Sequence, residues 1–313
     1  MSSESSAAAS VAGTLALGTA QLGQPYGIAN RTGQPDEETA FAVLRLAWSL
    51  GIRYVDTAQA YGGSEEIIGR CLHGTRESIA AEVKVITKLA PDVDVADAGE
   101  LAASLQGSWS RLGAQPIWGM LLHTEALLDR WEGRLGDTLR EWRELGRITH
   151  LGVSVASEEG MRKAIEMRDM EIIQVPANAF DRRMYRAGLF ARAEAAGKRV
   201  FIRSVFLQGL MLLEPAEAAR RLPLAAAAME RLDAFCAEHL ADRRAFAVGY
   251  ARNHVPNALL VIGSETPAQV AENCRLISQA PSDPQLYQEW DAVWPGDDPL
   301  LVNPAQWPAT QTR

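Results

Sequence analysis

Ile52-Arg53-Tyr54-Val55-Asp56-Thr57-Ala58-Gln59-Ala60-Tyr61-Gly62 opens as an apolar run rich in β-branched and aromatic residues after Gly51, then breaks into Asp, Thr, Gln and Gly. That pattern predicts a buried strand that stops at a polar loop. A strand ending in Asp56, with Tyr61 five residues on, delivers polar side chains at its C-terminal end.

Working outward, the same unit repeats. Upstream, Leu15-Ala16-Leu17-Gly18-Thr19 reads as a short strand running into a loop over 20–32 that holds Gly23, Pro25 and Gly27. The segment 36–49 then carries Ala40, Phe41, Leu44, Ala47 and Trp48 at helical spacing, with acidic residues at its start and Gly51 beyond its end. After the Tyr54 strand, 64–72 predicts a helix with Ser64 as N-cap and Glu65 and Glu66 in the first turn, where the helix dipole favours negative charge.

Downstream, strands are expected at 83–87, 118–122, 150–155, 171–175, 199–204 and 258–262. Helices are expected near 100–112, 135–145, 158–167, 185–196, from 216 onward, and at 267–278. Eight strand-then-helix units predict an α/β fold, a single (β/α)8 TIM barrel with its active site at the C-terminal ends of the strands. A doubly wound open sheet would call for a G-x-G-x-x-G turn, and Gly18-Thr19-Ala20-Gln21-Leu22-Gly23 lacks the middle glycine. No linker divides the chain: residues 1–13 read as a small, polar, disordered tail, and 14–313 as the barrel with a C-terminal helix and loop laid over it.

With 313 residues, 47% of them hydrophobic, the chain is large enough for such a core. A net charge of -8 argues against nucleic acid or an anionic membrane surface as partner and points to a small molecule. Cys71, Cys236 and Cys274 lie far apart with no metal-ligand spacing, which reads as reduced packing residues in a cytoplasmic protein. The N-terminus has no secretion-signal pattern, and no run of about 20 apolar residues offers a membrane span.

Two further strand ends carry chemistry: Lys88 closes Val83-Lys84-Val85-Ile86-Thr87-Lys88, and His123 closes Met120-Leu121-Leu122-His123, both following Asp56 and Tyr61 in order. Singly, each has a structural reading: a loop cap, a rim aromatic, a solvated strand end, a core histidine. Together they resemble the catalytic set of the aldo-keto reductases. The resemblance runs from Gly18-Thr19 to Glu272-Asn273 and is strongest for a bacterial subgroup with the stretches Gln174 to Arg183 and Arg203-Ser204-Val205-Phe206-Leu207-Gln208-Gly209-Leu210.

The resemblance implies carbonyl reduction with NAD(P)H, acting on an aldehyde, ketone or sugar carbonyl, or the reverse oxidation of the alcohol. Tyr61 would be the general acid/base, with Lys88 lowering its pKa, Asp56 holding Lys88 charged, and His123 donating a hydrogen bond to the carbonyl oxygen. It also implies a cofactor stretched across the barrel mouth. Gly18, Thr19 and Ala20 would lie beside it, with Ser154 and Gln174 at the nicotinamide amide. Arg203, Ser204, Phe206, Leu207, Gln208 and Gly209 would take ring and pyrophosphate, and Ile262, Gly263, Ser264, Glu265, Gln269, Glu272 and Asn273 the adenosine end.

The chain departs from the family pattern in three places. The usual Ser-Asn pair after strand five is Ser154-Val155, so Gln174 must carry more of the amide contact. The usual stacking aromatic is Arg203, whose flat guanidinium can also stack, with Phe206 as substitute. The basic residues of NADPH-preferring members are replaced by Gly263 and Gln269, and Glu265 adds a carboxylate, which predicts NAD(H) tolerance or preference, unless Glu265 points to solvent and Arg275 or a lysine elsewhere supplies the charge. Asp181-Arg182-Arg183 and Arg203 offer an anion or sugar site at the mouth, unless Asp181 clamps an arginine at a helix start.

A competing reading is a cofactor-binding regulator with little catalysis, acting through a protein partner, as aldo-keto-reductase-like bacterial cell-division regulators do. The intact four residues favour the enzyme; Val155 and Arg203 keep the regulator open. Hydrolytic or metal chemistry is the weakest reading, because His73, His150, His239 and His254 are scattered.

Overall fold

Burial along the strands shows why this sequence closes into a barrel. In the computed structural model, which describes residues 13–296 and 298–307, alternate strand residues fall into two separate apolar clusters. Leu17, Val55, Met120, Val153, Ile173, Val175, Ile202 and Leu260 face outward beneath the helices. Ala16, Ile86, Leu121, Ile172, Phe201 and Leu259 face inward and fill the interior. A strand buried on both faces reads as a continuous apolar run rather than an alternating one, as these do.

The strands are β1 Leu15–Gly18, β2 Tyr54–Asp56, β3 Lys84–Leu89, β4 Ile117–Leu122, β5 Ile148–Ser154, β6 Ile172–Pro176, β7 Arg199–Arg203 and β8 Leu259–Gly263. Neighbours pair in parallel in chain order, and β8 returns to β1 through Ala16 opposite Val261 and Gly18 opposite Gly263, which closes the barrel. Two residues beyond five of these six inward side chains the chemistry changes: Gly18, Lys88, His123, Gln174 and Arg203 follow Ala16, Ile86, Leu121, Ile172 and Phe201. The interior cluster is therefore a dry floor, and the next layer up is the candidate site.

The helices lie outside. The helix Glu37–Ser49 starts where the Asp36 carboxylate accepts from the Thr39 amide at 2.8 Å, and the helix Ala98–Arg111 where Asp97 accepts from Gly99 and Glu100. Three local expectations need correction. Residues 20–23 form a short helical turn rather than loop. Ser64 does not cap its helix, because Gly63 holds that position and the Ser64 hydroxyl is buried on other partners. The helix expected from 185 is split by Gly188 at φ +66° into Arg183–Arg186 and Leu189–Ala195. A further short helix occupies Glu77–Ala80.

The C-terminal helix Pro284–Val293 is clasped to the barrel. Trp290 donates its indole N–H to the Ala179 carbonyl at 2.8 Å, and the Arg182 guanidinium bonds the Asp291 carbonyl and the Trp294 carbonyl. Cys71 and Cys236 are buried and Cys274 half-buried, all three as free thiols, and burial pushes the Cys236 thiol up to about 12. Among the described residues no helix is long and apolar enough to cross a membrane. The disordered tail expected over 1–13 lies outside the described residues except for Gly13, as does the end of the chain beyond 307.

Candidate active site

Two glycines fix where Tyr61 stands. β2 ends at Asp56, the Thr57 amide bonds the Ile86 carbonyl at 2.8 Å, and a turn brings the Tyr61 amide onto Ala58. Gly62 then takes φ +53°, and a Cβ there would collide with the Gly23 carbonyl oxygen; a Cβ on Gly23 would collide with that of Tyr61. Only glycine lets the two loops approach this closely. Below them, Ser64 Oγ lies 2.8 Å from Thr19 Oγ1 and 3.0 Å from Thr57 Oγ1, which ties the ends of β1 and β2 together.

Lys88 is 1% exposed and Asp56 3%. The Lys88 Nζ donates to both Asp56 carboxylate oxygens at 2.9 Å and to the Thr57 carbonyl at 2.8 Å, and stands 3.4 Å from the Tyr61 hydroxyl. Burial alone would push this amine down, but the Asp56 charge and the Tyr61 hydroxyl more than reverse it, and its pKa lies above the ordinary value. Asp56 is held from the other side by the Gln174 amide nitrogen at 2.7 Å. Lys88 is thus a fixed cation beneath the phenol.

The His123 ring meets the Tyr61 ring edge to face at 5.9 Å between centroids. Burial, then the charges of Lys88 and Arg203, push its pKa down to about 4, so the imidazole is neutral near pH 7. Its Nδ1 is buried with no hydrogen-bond partner among the described residues. Tyr26, from the loop after β1, also faces this end; burial and the neighbouring Tyr61 push its phenol up to about 12.

Asp56, Tyr61 and His123 sit in a cavity of about 580 Å³ that runs over the barrel mouth from Tyr26 to Leu276. Of the expected cofactor residues, Gly18, Thr19, Ala20, Ser154, Gln174, Arg203, Ser204, Phe206, Gln208 and Gly209 line it, as do Ile262, Gly263, Ser264, Glu265, Gln269, Glu272 and Asn273. Leu207 does not: it is fully buried beneath the β7 loop. Lys88 lies under the cavity, reaching it through Tyr61.

At the far end, the helix Pro267–Gln279 points its N-terminus at the cavity behind a Thr266–Gln269 capping box. Asn273 Nδ2 bonds Ser264 Oγ at 3.1 Å, and burial raises the Glu265 carboxyl above its ordinary value. Gly263 has no room for a side chain unless Gln21 moves. After β7, Ser204, Leu207, Gln208 and Gly209 all adopt positive φ, a left-handed run that Asn178 pins by donating to the Ser204 carbonyl at 3.0 Å. The Asp181 expectation resolves toward the clamp: Arg183 binds both Asp181 oxygens, at 2.8 and 2.7 Å.

These features have a counterpart among known proteins. The family model for the aldo/keto reductase family matches residues 14–295. The chain belongs to the aldo/keto reductase family. Aldo-keto reductase YhdN of Bacillus subtilis (strain 168) is 31% identical over 162 residues, 49% of this chain and 47% of that protein. D-threo-aldose 1-dehydrogenase of a Pseudomonas species is 26% identical over 288 residues, covering 79% of this chain and 87% of that one. The chain spans about half the length of the curated relatives it matches first. Glycerol dehydrogenase of Gluconobacter oxydans shares the fold with a TM-score of 0.70 at 23% identity, covering 91% of this chain and 94% of that one.

Within this aldo/keto reductase barrel the structure adds cavity residues that the sequence reading missed, chiefly Tyr26 and Arg244. Tyr26 stands in a Gly- and Pro-containing loop directly after β1, at the barrel end that carries active sites, and that was its one available signal. Arg244 comes from the start of the helix Arg243–His254 and pairs with Glu272 at 3.2 Å. Nothing in its local sequence marks it as lining the same cavity as Glu265. Gln174, expected at a nicotinamide amide, gives one N–H of its amide to Asp56 and keeps its oxygen and second N–H for a ligand.

Proposed function

We propose that this protein is an NAD(P)H-dependent oxidoreductase that reduces an aldehyde, ketone or sugar carbonyl, or oxidises the alcohol, with Tyr61 as general acid/base. The observation that carries the reading is the stack of Asp56, Lys88 and Tyr61 beside a neutral His123 on the floor of one cavity. The names of the relatives, reductases and dehydrogenases, favour it over the regulatory reading.

Bound NAD(P)H would supply the hydride. The residues fit such a cofactor: the cavity volume lies within the roughly 300–1,000 Å³ of small-molecule sites, and Ser154 lines it with a hydroxyl that has no hydrogen-bond partner among the described residues. Tyr61 gives its proton to the carbonyl oxygen as that oxygen gains charge. Lys88, fixed 3.4 Å away, stabilises the phenolate left behind. His123 is uncharged and donates from Nε2–H to the same oxygen, which orients the carbonyl and leaves the buried Nδ1 unprotonated. Gly263, Gln269 and Glu265 support NAD(H) tolerance, because none of them brings a cation to this end, while Arg244 is engaged with Glu272 and Asp242 and Arg275 with Glu272.

The test is oxidation of NADH and NADPH with a panel of aldehydes, ketones and sugars, for the parent and Tyr61→Phe. Turnover in the parent that collapses in the variant is expected. Tight cofactor binding with no turnover on any carbonyl would sink the reading.

A further inference from the structure

The mouth carries three arginines that the sequence groups together, and the structure gives two of them internal work. Arg183 is bidentate on Asp181, and Arg182 clasps the C-terminal helix. Arg203 is different. It ends β7, two residues above the interior Phe201, and its half-buried side chain lines the catalytic end of the cavity with Tyr26, Tyr61 and His123.

A guanidinium is permanently charged and carries five N–H donors in a planar fork. Arg203 uses two of them weakly, on the Val155 carbonyl at 3.3 Å and Ser204 Oγ at 3.4 Å, both near the outer limit for a hydrogen bond. Among the described residues no carboxylate pairs with it. Glu125, near enough for the Arg203 charge to help hold its carboxyl below the usual range, is itself occupied by Ser157 Oγ and the Ala156 and Ser157 amides. The Arg203 charge also reaches His123, one of the groups we place at the reacting carbonyl. A cation left without an anion in a concave site, next to the reacting centre, is a docking point for an anion on the ligand.

Resting on the oxidoreductase reading above, we propose that Arg203 anchors an anionic substituent of the substrate. The preferred substrates are then oxo-acids or phosphorylated aldehydes rather than neutral carbonyl compounds of the same size. The fork suits carboxylate and phosphate alike, and the two sources are separated by experiment.

The test compares kcat/KM for succinic semialdehyde against butanal, and for glyceraldehyde 3-phosphate against glyceraldehyde, in the parent, Arg203→Gln and Arg203→Lys. The parent should favour at least one anionic partner by tenfold or more. That ratio should fall by about tenfold in Arg203→Gln and recover partly in Arg203→Lys, and the pair that shows it names the anion. A parent ratio near one, or a ratio unchanged in Arg203→Gln, overturns the proposal. So does a tenfold loss of NADH affinity in Arg203→Gln with the ratio unchanged, since Arg203 would then hold the cofactor. If the parent reduces no carbonyl at all, the oxidoreductase reading fails separately, and calorimetric titration with succinate decides the anchor. Binding that disappears in Arg203→Gln supports it, and no binding to the parent refutes it.

Discussion

Replacing Lys88 by Met removes the only cation, among the described residues, that is hydrogen-bonded to the Asp56 carboxylate, which is nearly out of solvent. The Lys88 and Asp56 side chains are 1% and 5% exposed, so the remaining Asp56 charge would keep only the Gln174 amide as a donor, and the Thr57 carbonyl would lose the ammonium. Breaking a buried pair by removing one partner costs about 3–5 kcal/mol, and we expect about 4 kcal/mol here, a large part of a typical domain's stability. Neutralising the survivor in Lys88→Met with Asp56→Asn should return about half of that loss, because the penalty is chiefly an uncompensated charge. Urea unfolding of the parent, both single variants and the double variant at pH 7 closes the cycle. The sign of the pH dependence follows from the raised Lys88 pKa. The stabilisation is fully present below the ordinary lysine value of 10.5 and is lost as pH rises through the higher folded value, so the Lys88→Met deficit should stay flat from about pH 6 to 9. A single-variant cost under about 1 kcal/mol, or strict additivity in the cycle, would refute the claim that this pair is buried and coupled.

Two further outcomes follow from the same site. His123 titrates near 4 when folded against 6.5 otherwise, so the unfolded chain takes up its proton first and stability falls as pH drops through that window. Between pH 7 and 4.5 this group should account for about 2.5 kcal/mol of lost stability, and urea unfolding of His123→Asn at both pH values should show a correspondingly flatter profile. At the adenosine end, NADH should bind at least as tightly as NADPH, and Glu265→Lys should tighten NADPH by about tenfold by bringing a second cation beside Arg244; fluorescence titration of both cofactors checks this, and markedly tighter NADPH binding by the parent would contradict it.

Much of this architecture was legible because the barrel writes two signals into each strand. An apolar run marks burial on both faces, and the polar residue that ends it marks the catalytic mouth; Asp56, Lys88 and His123 carried that signature, whereas Gln174, inside its strand, was marked only by the family resemblance. Helix edges were less legible where a side chain serves a distant partner instead of its own turn. Ser64 looks like a cap in sequence, yet its hydroxyl belongs to Thr19 and Thr57, two strand ends that only the closed barrel brings together. The turn at 20–23 was hidden by the glycine that the Tyr61 loop demands. Arg244 was invisible, and Tyr26 had only its place in the loop after β1 to mark it, because such segments carry no period from which a side chain's direction can be read. The same limit made the three mouth arginines look alike, and only their partners tell them apart.

The most direct test of the central claim is single-turnover reduction of a carbonyl substrate by cofactor-loaded protein, comparing the parent with Tyr61→Phe. If Tyr61 supplies the proton, loss of its hydroxyl should slow hydride transfer by about 10²–10⁴-fold while cofactor affinity changes little. Hydride transfer at the parental rate in Tyr61→Phe would show that the proton comes from elsewhere and that the stack of Asp56, Lys88 and Tyr61 is not the catalytic device of this protein.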